Sequence, residues 1–147
     1  MFKHLLIATD GSELSLAAAR HALELAQAIG ARATAVEVVE PYPYAGVGET
    51  WQPSRGDRQD HLTSQRRSAE TAFADIGDIA KERGVPLEAV TSDERDVAQA
   101  IVDSAAACGA DLIVMGSHGR SGIAKAVLGS VAAKVLALST VPVLVVK

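Results

Sequence analysis

Short apolar runs alternate along the chain with longer stretches whose apolar residues recur every three or four positions. The first run, Leu5-Leu6-Ile7-Ala8, predicts a central strand that stops at Thr9-Asp10-Gly11-Ser12. Leu14, Ala18, His21, Leu25 and Ile29 then follow at helical spacing up to Gly30, a natural C-terminal cap. Ala33 to Val39 predicts a second strand, closed by Pro41. Leu62, Ala69, Phe73, Ile76 and Ala80 mark a long helix ending near Gly84, and Pro86 to Thr91 a third strand. Val97, Ile101, Ala105 and Cys108 form the next helix up to Gly109, and residues 111–115 the fourth strand. Val131 to Ser139 reads as the last helix and Val141 to Val146 as the last strand.

This strict β-α alternation predicts an α/β fold: one doubly wound, five-stranded parallel sheet with helices on both faces. Ligands of such sheets bind beyond the carboxyl ends of the strands, where the strand order reverses. Asp10 and Gly116 lie at two of those ends, after strands one and four. Residues 41–57 break the pattern with Pro41, Pro43 and Pro53, three glycines, Tyr42, Tyr44 and Trp51. No element fits there, and a flexible loop, a lid or a binding loop is expected. Its aromatic residues could stack on a ligand or simply pack within the loop.

Composition narrows the class. A chain of 147 residues predicts a single domain over 1–147. Its 48% hydrophobic and 22% charged content is that of a soluble globular protein. Abundant Ala and Val with few aromatics suit helices packed closely on a parallel sheet. The net charge of −4, with Lys and Arg scattered, offers no basic stripe for nucleic acid. Arg66-Arg67 lies in a helical pattern with Glu70 and reads as a solvated face. Cys108 is alone, so no internal disulfide forms and a reducing compartment fits. The apolar run at the start is too short for a signal peptide, and no segment reaches the roughly 20 apolar residues of a membrane span. A cytoplasmic protein is expected.

The chemistry concentrates after strand four. Gly116, Gly119 and Gly129 bracket a loop between that strand and the last helix. Bare backbone of this kind lets N–H groups close on an anion, and the helix start adds partial positive charge. Neither a Walker A motif nor a GxGxxG fingerprint is present. The spacing suggests a nucleotide site in which amides around Ser117 to Gly122 and the Ser130 hydroxyl hold phosphates. Gly119 would be glycine to clear the anion or to take a positive φ, and Gly129 to let the helix start approach the ligand. Asp10 could accept from a ribose hydroxyl or hold Mg²⁺ through water, and Val38 could offer backbone groups or an apolar wall to the base. The competing reading makes the glycines turn formers, Ser130 a plain N-terminal helix residue and Asp10 a cap of the first helix or its turn.

Gly116-x2-Gly119-x9-Gly129-Ser130, Asp10-Gly11-Ser12 and the closing Val141-Pro142-Val143-Leu144-Val145-Val146 together resemble the nucleotide-binding universal stress proteins. The resemblance spans the whole chain. It implies the adenine nucleotide alpha hydrolase-like strand order 3-2-1-4-5, ATP binding with Mg²⁺ carried by the nucleotide, a role in stress response, and a homodimer. By position, Asp10 and Val38 would contact the adenosine part, with Ala8 standing where many ATP-binding members have Pro. Gly116, Gly119, Gly129 and Ser130 would surround ribose and phosphates, with Val131 beside them. Ser117, His118, Arg120, Ser121 and Gly122 would line the loop.

The last strand has its own physical argument for a dimer. Coming last and containing Pro142, it belongs at a sheet edge, and an apolar edge is satisfied by pairing with a second copy. His118 and Arg120 could reach a phosphate or remain peripheral. His4, His21 and His61 lack metal-ligand spacing, so no zinc site is expected. No Gly-x-Ser-x-Gly elbow, catalytic base or positioned Lys stands out, so a dedicated enzyme is not expected and any ATP hydrolysis would be weak. Two other readings remain open: a slow ATPase or phosphoryl or nucleotidyl transferase using Asp10 and Mg²⁺, and a protein-interaction module with a degenerate nucleotide site.

Overall fold

The structure is a computed structural model that describes residues 1–39, 54–119 and 127–147. The elements alternate as β1 (His4–Ala8), α1 (Glu13–Ile29), β2 (Arg32–Val38), α2 (Arg55–Arg83), β3 (Leu87–Ser92), α3 (Val97–Cys108), β4 (Leu112–Gly116), α4 (Ser130–Leu138) and β5 (Val143–Val146). The five strands form one parallel sheet in the order β3-β2-β1-β4-β5. The expected fold class and strand order are both present.

Side chains alternate across the sheet and split the core in two. Leu5 and Ile7 of β1, Ala33 and Ala35 of β2 and Val114 of β4 pack under α1 and α2 with Leu23 and Ile76. Leu6, Val36, Ile113 and Met115 face the opposite side, against Ile101 of α3 and Val135 of α4. β1 is buried along its whole length because both of its edges and both of its faces are covered. At its lower end Asp111 pins the register, accepting from the Lys3 and His4 amides at 2.8 and 3.1 Å. The strand order reverses between β1 and β4, and at the other end of these two strands the crevice opens.

Helix ends follow the local sequence. Gly30, Gly84 and Gly109 close α1, α2 and α3 in the left-handed conformation that glycine adopts without cost. At the other ends, Ser12, Ser54 and Asp96 each accept an amide from the first turn of α1, α2 and α3. The expected loop over 41–57 is corrected at its end: positions 54–57 open α2 rather than continuing a loop. Ser54 and Asp57 make a reciprocal capping box, with the Ser54 amide donating to Asp57 at 3.0 Å and the Asp57 amide to Ser54 Oγ at 3.1 Å. Residues 41–53, with Tyr42, Tyr44 and Trp51, lie outside the described residues. β5 begins at Val143 rather than Val141, because the Val141 amide turns back to Ser139 Oγ. Among the described residues, no helix is long and apolar enough to cross a membrane.

Candidate functional site

The site lies beyond the carboxyl ends of β1, β2 and β4, where Asp10, Val38 and Gly116 stand. The turn after β1 is tied down by its own polar side chains. Thr9 Oγ1 accepts from the Gly11 amide at 3.1 Å and lies 3.0 Å from Ser15 Oγ, while Asp10 Oδ1 accepts from the Ser12 amide at 2.9 Å. Asp10 therefore caps the turn into α1, whereas Ser12 caps the helix itself, and Asp10 also lines the cavity described below.

The loop after β4 is stitched to the start of α4. Ser117 donates its amide to the Val146 carbonyl at 2.8 Å, and its own carbonyl accepts from the Gly129 amide at 2.6 Å. This close approach explains Gly129: a β-carbon there would sit 2.8 Å from the Ser117 oxygen and 3.1 Å from His118 Cα. Both obstacles are backbone and cannot swing aside. Gly116 is similarly confined, by Leu14 Cγ at 3.1 Å. Gly119 does not have a positive φ; a β-carbon there would run into the Asp10 carboxylate. The signature glycines thus let the β1 turn, the β4 end and the α4 start come together.

These elements enclose a cavity of about 650 Å³. One wall is apolar, built from Val36, Val38, Val97, Ile101 and Met115. The first turn of α4, from Gly129 to Ala132, also lines the cavity. Here α4 differs from the other described helices, since its N-cap is Gly129 and no side chain caps its start. Its first amides and the positive end of its dipole border the cavity without a protein acceptor supplied by a cap. α3 and α4 are held beside each other by an exposed ion pair between Lys134 and Asp96, and the hydrogen bond from Lys134 holds the Asp96 carboxyl below the usual carboxylate range.

Of the residues singled out from the sequence, Ala8, Asp10 and Val38 line this cavity together with Gly116, His118 and Gly119. Gly129, Ser130 and Val131 line it too. Ser117 does not: it is buried, and its amide is committed to Val146, so that amide is not free to hold an anion. Its hydroxyl lies 3.1 Å from His118 Nδ1. Arg120, Ser121 and Gly122 lie outside the described residues. Sequence reasoning missed Thr9, Ser15, Glu37 and Gln65 on the polar side of the cavity. The signal for Glu37 was available, as a carboxylate inside the apolar run Ala33–Val39 that ends up 7% exposed. Gln65 carried no such signal, being one polar residue in a polar stretch of α2.

The chain matches the family profile described as the universal stress protein family over residues 1–147. A universal stress protein of Methanocaldococcus jannaschii is 36% identical over 152 residues, an alignment covering 100% of this chain and 83% of the relative. The crystal structure of a universal stress protein in complex with cAMP is 27% identical, with a TM-score of 0.73 over 99% of this chain and 97% of that one. UspA from Lactobacillus plantarum shares the fold at a TM-score of 0.84, with 24% identity and the same shares of 99% and 97%.

Proposed function

This chain belongs to the universal stress protein family, and on that premise we propose that it is an ATP-binding protein that senses or stores adenine nucleotide in stress response and acts as a homodimer. The observation that carries the reading is the uncapped start of α4 at the border of the cavity. In three described helices a side chain accepts from an amide of the first turn, and in the fourth none does and the first turn lines a cavity. An oxyanion is the group those amides and the helix dipole suit.

The rest of the cavity fits the remainder of such a ligand. Its volume of about 650 Å³ lies within the roughly 300–1,000 Å³ of small-molecule sites. The Val36, Val38, Ile101 and Met115 wall suits the flat apolar face of a base. Asp10, which lines the same cavity, would accept from a ribose hydroxyl or hold water on a nucleotide-borne Mg²⁺. A family member solved with cAMP supports an adenine nucleotide as the ligand class.

Binding without rapid turnover is the second part of the reading. The sequence carries no Walker A lysine to stabilise charge on a transferred phosphoryl group. Hydrolysis, where it occurs, is slow. The dimer is assigned to the outer edge of β5, which pairs with β4 on its inner side. The lone Cys108 fits the cytoplasm as the compartment.

Mass analysis of the small molecule released when the purified protein is denatured tests the ligand class. A bound adenine nucleotide, absent from a Gly129→Val preparation, is the expected result. A protein that carries none and takes up none after incubation with Mg-ATP would refute the reading.

A further inference from the structure

Every polar group of Ser117 is engaged inside the protein. Its amide donates to the Val146 carbonyl, its carbonyl accepts from the Gly129 amide, and its hydroxyl lies 3.1 Å from His118 Nδ1. Ser117 is itself buried, so it holds the neighbouring ring from a fixed point. His118 is half-buried and lines the cavity. A β-carbon on Gly129 would lie 3.1 Å from His118 Cα and 3.4 Å from its Cβ, so the His118 side chain leaves the backbone beside the N-cap of α4. With Nδ1 engaged by Ser117, a ligand meets the ring at Nε2.

A hydroxyl can donate or accept. Toward a neutral ring the Ser117 hydroxyl donates to Nδ1, and the ring proton then sits on Nε2. Toward a charged ring it accepts from Nδ1–H, and Nε2 again carries a proton. Nε2 is thus a donor in both charge states, which suits a phosphate oxygen at the α4 start. The other neutral tautomer would set a bare lone pair against that oxygen. Histidine is also the side chain whose charge changes between about pH 5 and 8. Asp10, after β1, and Glu37, on β2, line the same cavity and favour the charged ring, whereas the positive end of α4 opposes it. A bound phosphate adds its negative charge to the favourable side.

We infer that His118 is a proton-linked phosphate contact of the nucleotide pocket, its Nε2–H donating to a phosphate oxygen, with Ser117 the positioning residue that keeps the proton there. The inference rests on the nucleotide reading above. Because phosphate stabilises the charged ring, binding takes up a proton and tightens as pH falls.

Calorimetric titrations of Mg-ATP and of adenosine, at pH 8 and pH 6, compare the full chain with His118→Gln, His118→Asn and Ser117→Ala. Glutamine sets its amide nitrogen near the place of Nε2 without the charge; asparagine sets its own near that of Nδ1, too short for the phosphate. Relative to His118→Gln, which cancels the titration of the nucleotide itself, wild-type ATP affinity is expected to rise about fivefold from pH 8 to pH 6, the added strength of a charged donor. His118→Asn is expected to lose about tenfold for ATP at pH 6 and to keep its affinity for adenosine. Ser117→Ala is expected to lose ATP affinity at pH 8 and recover it at pH 6, where the charged ring holds the Nε2 proton unaided. An equal loss at both pH values would make Ser117 merely structural and overturn its part. A pH dependence shared by the wild type and His118→Gln overturns the inference and leaves the ATP reading standing. A His118→Asn loss that extends equally to adenosine places the ring against the nucleoside and overturns it too. A wild type that binds no Mg-ATP overturns the inference and the reading together.

Discussion

Gly129 shows how little room the site leaves at the residue scale. A methyl group there meets the Ser117 carbonyl and the His118 backbone, neither of which can rotate away. Gly129→Ala is therefore expected to cost about 1–3 kcal/mol, the usual range for overpacking a tight position. Urea unfolding measures it, and a variant as stable as the wild type would show that the loop gives way. Gly119 differs, because its obstacle is the end of the Asp10 side chain. At the other end of the sheet, His4 is 4% exposed and its Nε2 lies 2.8 Å from Thr34 Oγ1. Burial, then the nearby Arg32 charge, push its pKa below the ordinary 6.5, outweighing the Cys108 carbonyl, Glu88 and Asp111, which pull the other way. The unfolded chain therefore takes up a proton at His4 before the folded one does. The His4 contribution is intact above pH 6.5 and is lost as pH falls from there through the lowered folded-state value. Urea midpoints at pH 8 and pH 5 should show this loss, and His4→Gln should shrink the difference between them. An undiminished difference in the variant would assign the pH dependence to other groups.

Among the elements, α2 is the one whose start the hydrophobic pattern conceals. Its first apolar residue is Leu62, yet the helix begins at Arg55. The stretch from Ser54 to His61 has no apolar face because it packs against nothing in the described core. What starts it is the Ser54–Asp57 box, a three-residue signal readable in the sequence. Ser54→Ala is expected to speed amide hydrogen exchange over residues 55–61 without speeding it near Ile76, which is fully buried. Equal protection in variant and wild type would mean that something other than the cap holds the first turns. The strands were legible for the opposite reason: β1, β2 and β4 are buried on both faces, so their composition announces them. The glycine signature was legible as a site, but the reason for each glycine was not. Gly119 was expected to clear an anion or to need a positive φ, whereas the structure sets it against Asp10, more than 100 positions away in the chain. Long-range contacts of this kind leave no local trace. The apolar lining, Val97, Ile101 and Met115, was equally hidden, since residues that wall a cavity have the composition of residues that fill a core.

For the whole molecule, the strand order sets both the cavity and the free edge. β1 and β4 are neighbours although three helices and two strands separate them in sequence, and the cavity lies beyond their carboxyl ends. β5 ends the sheet on that side, and Leu144 on β5 is exposed, as are Leu136 and Leu138 of α4. A two-fold pairing of β5 would cover part of this apolar surface. Sedimentation at micromolar concentration is expected to show a dimer, and Leu144→Lys a monomer that still melts in one cooperative transition. A wild type that sediments as a monomer would rule this edge out as an interface under those conditions. The cavity is lined by residues of one chain, so the proposed nucleotide binding should survive that substitution. Its central physical claim is that the bare start of α4 holds phosphate, and calorimetric titration of Mg-ATP against adenosine, under the same conditions, tests it most directly. Saturable binding of one ATP per chain, at least tenfold tighter than adenosine, is the expected result; equal affinities, or no heat with ATP, would contradict it.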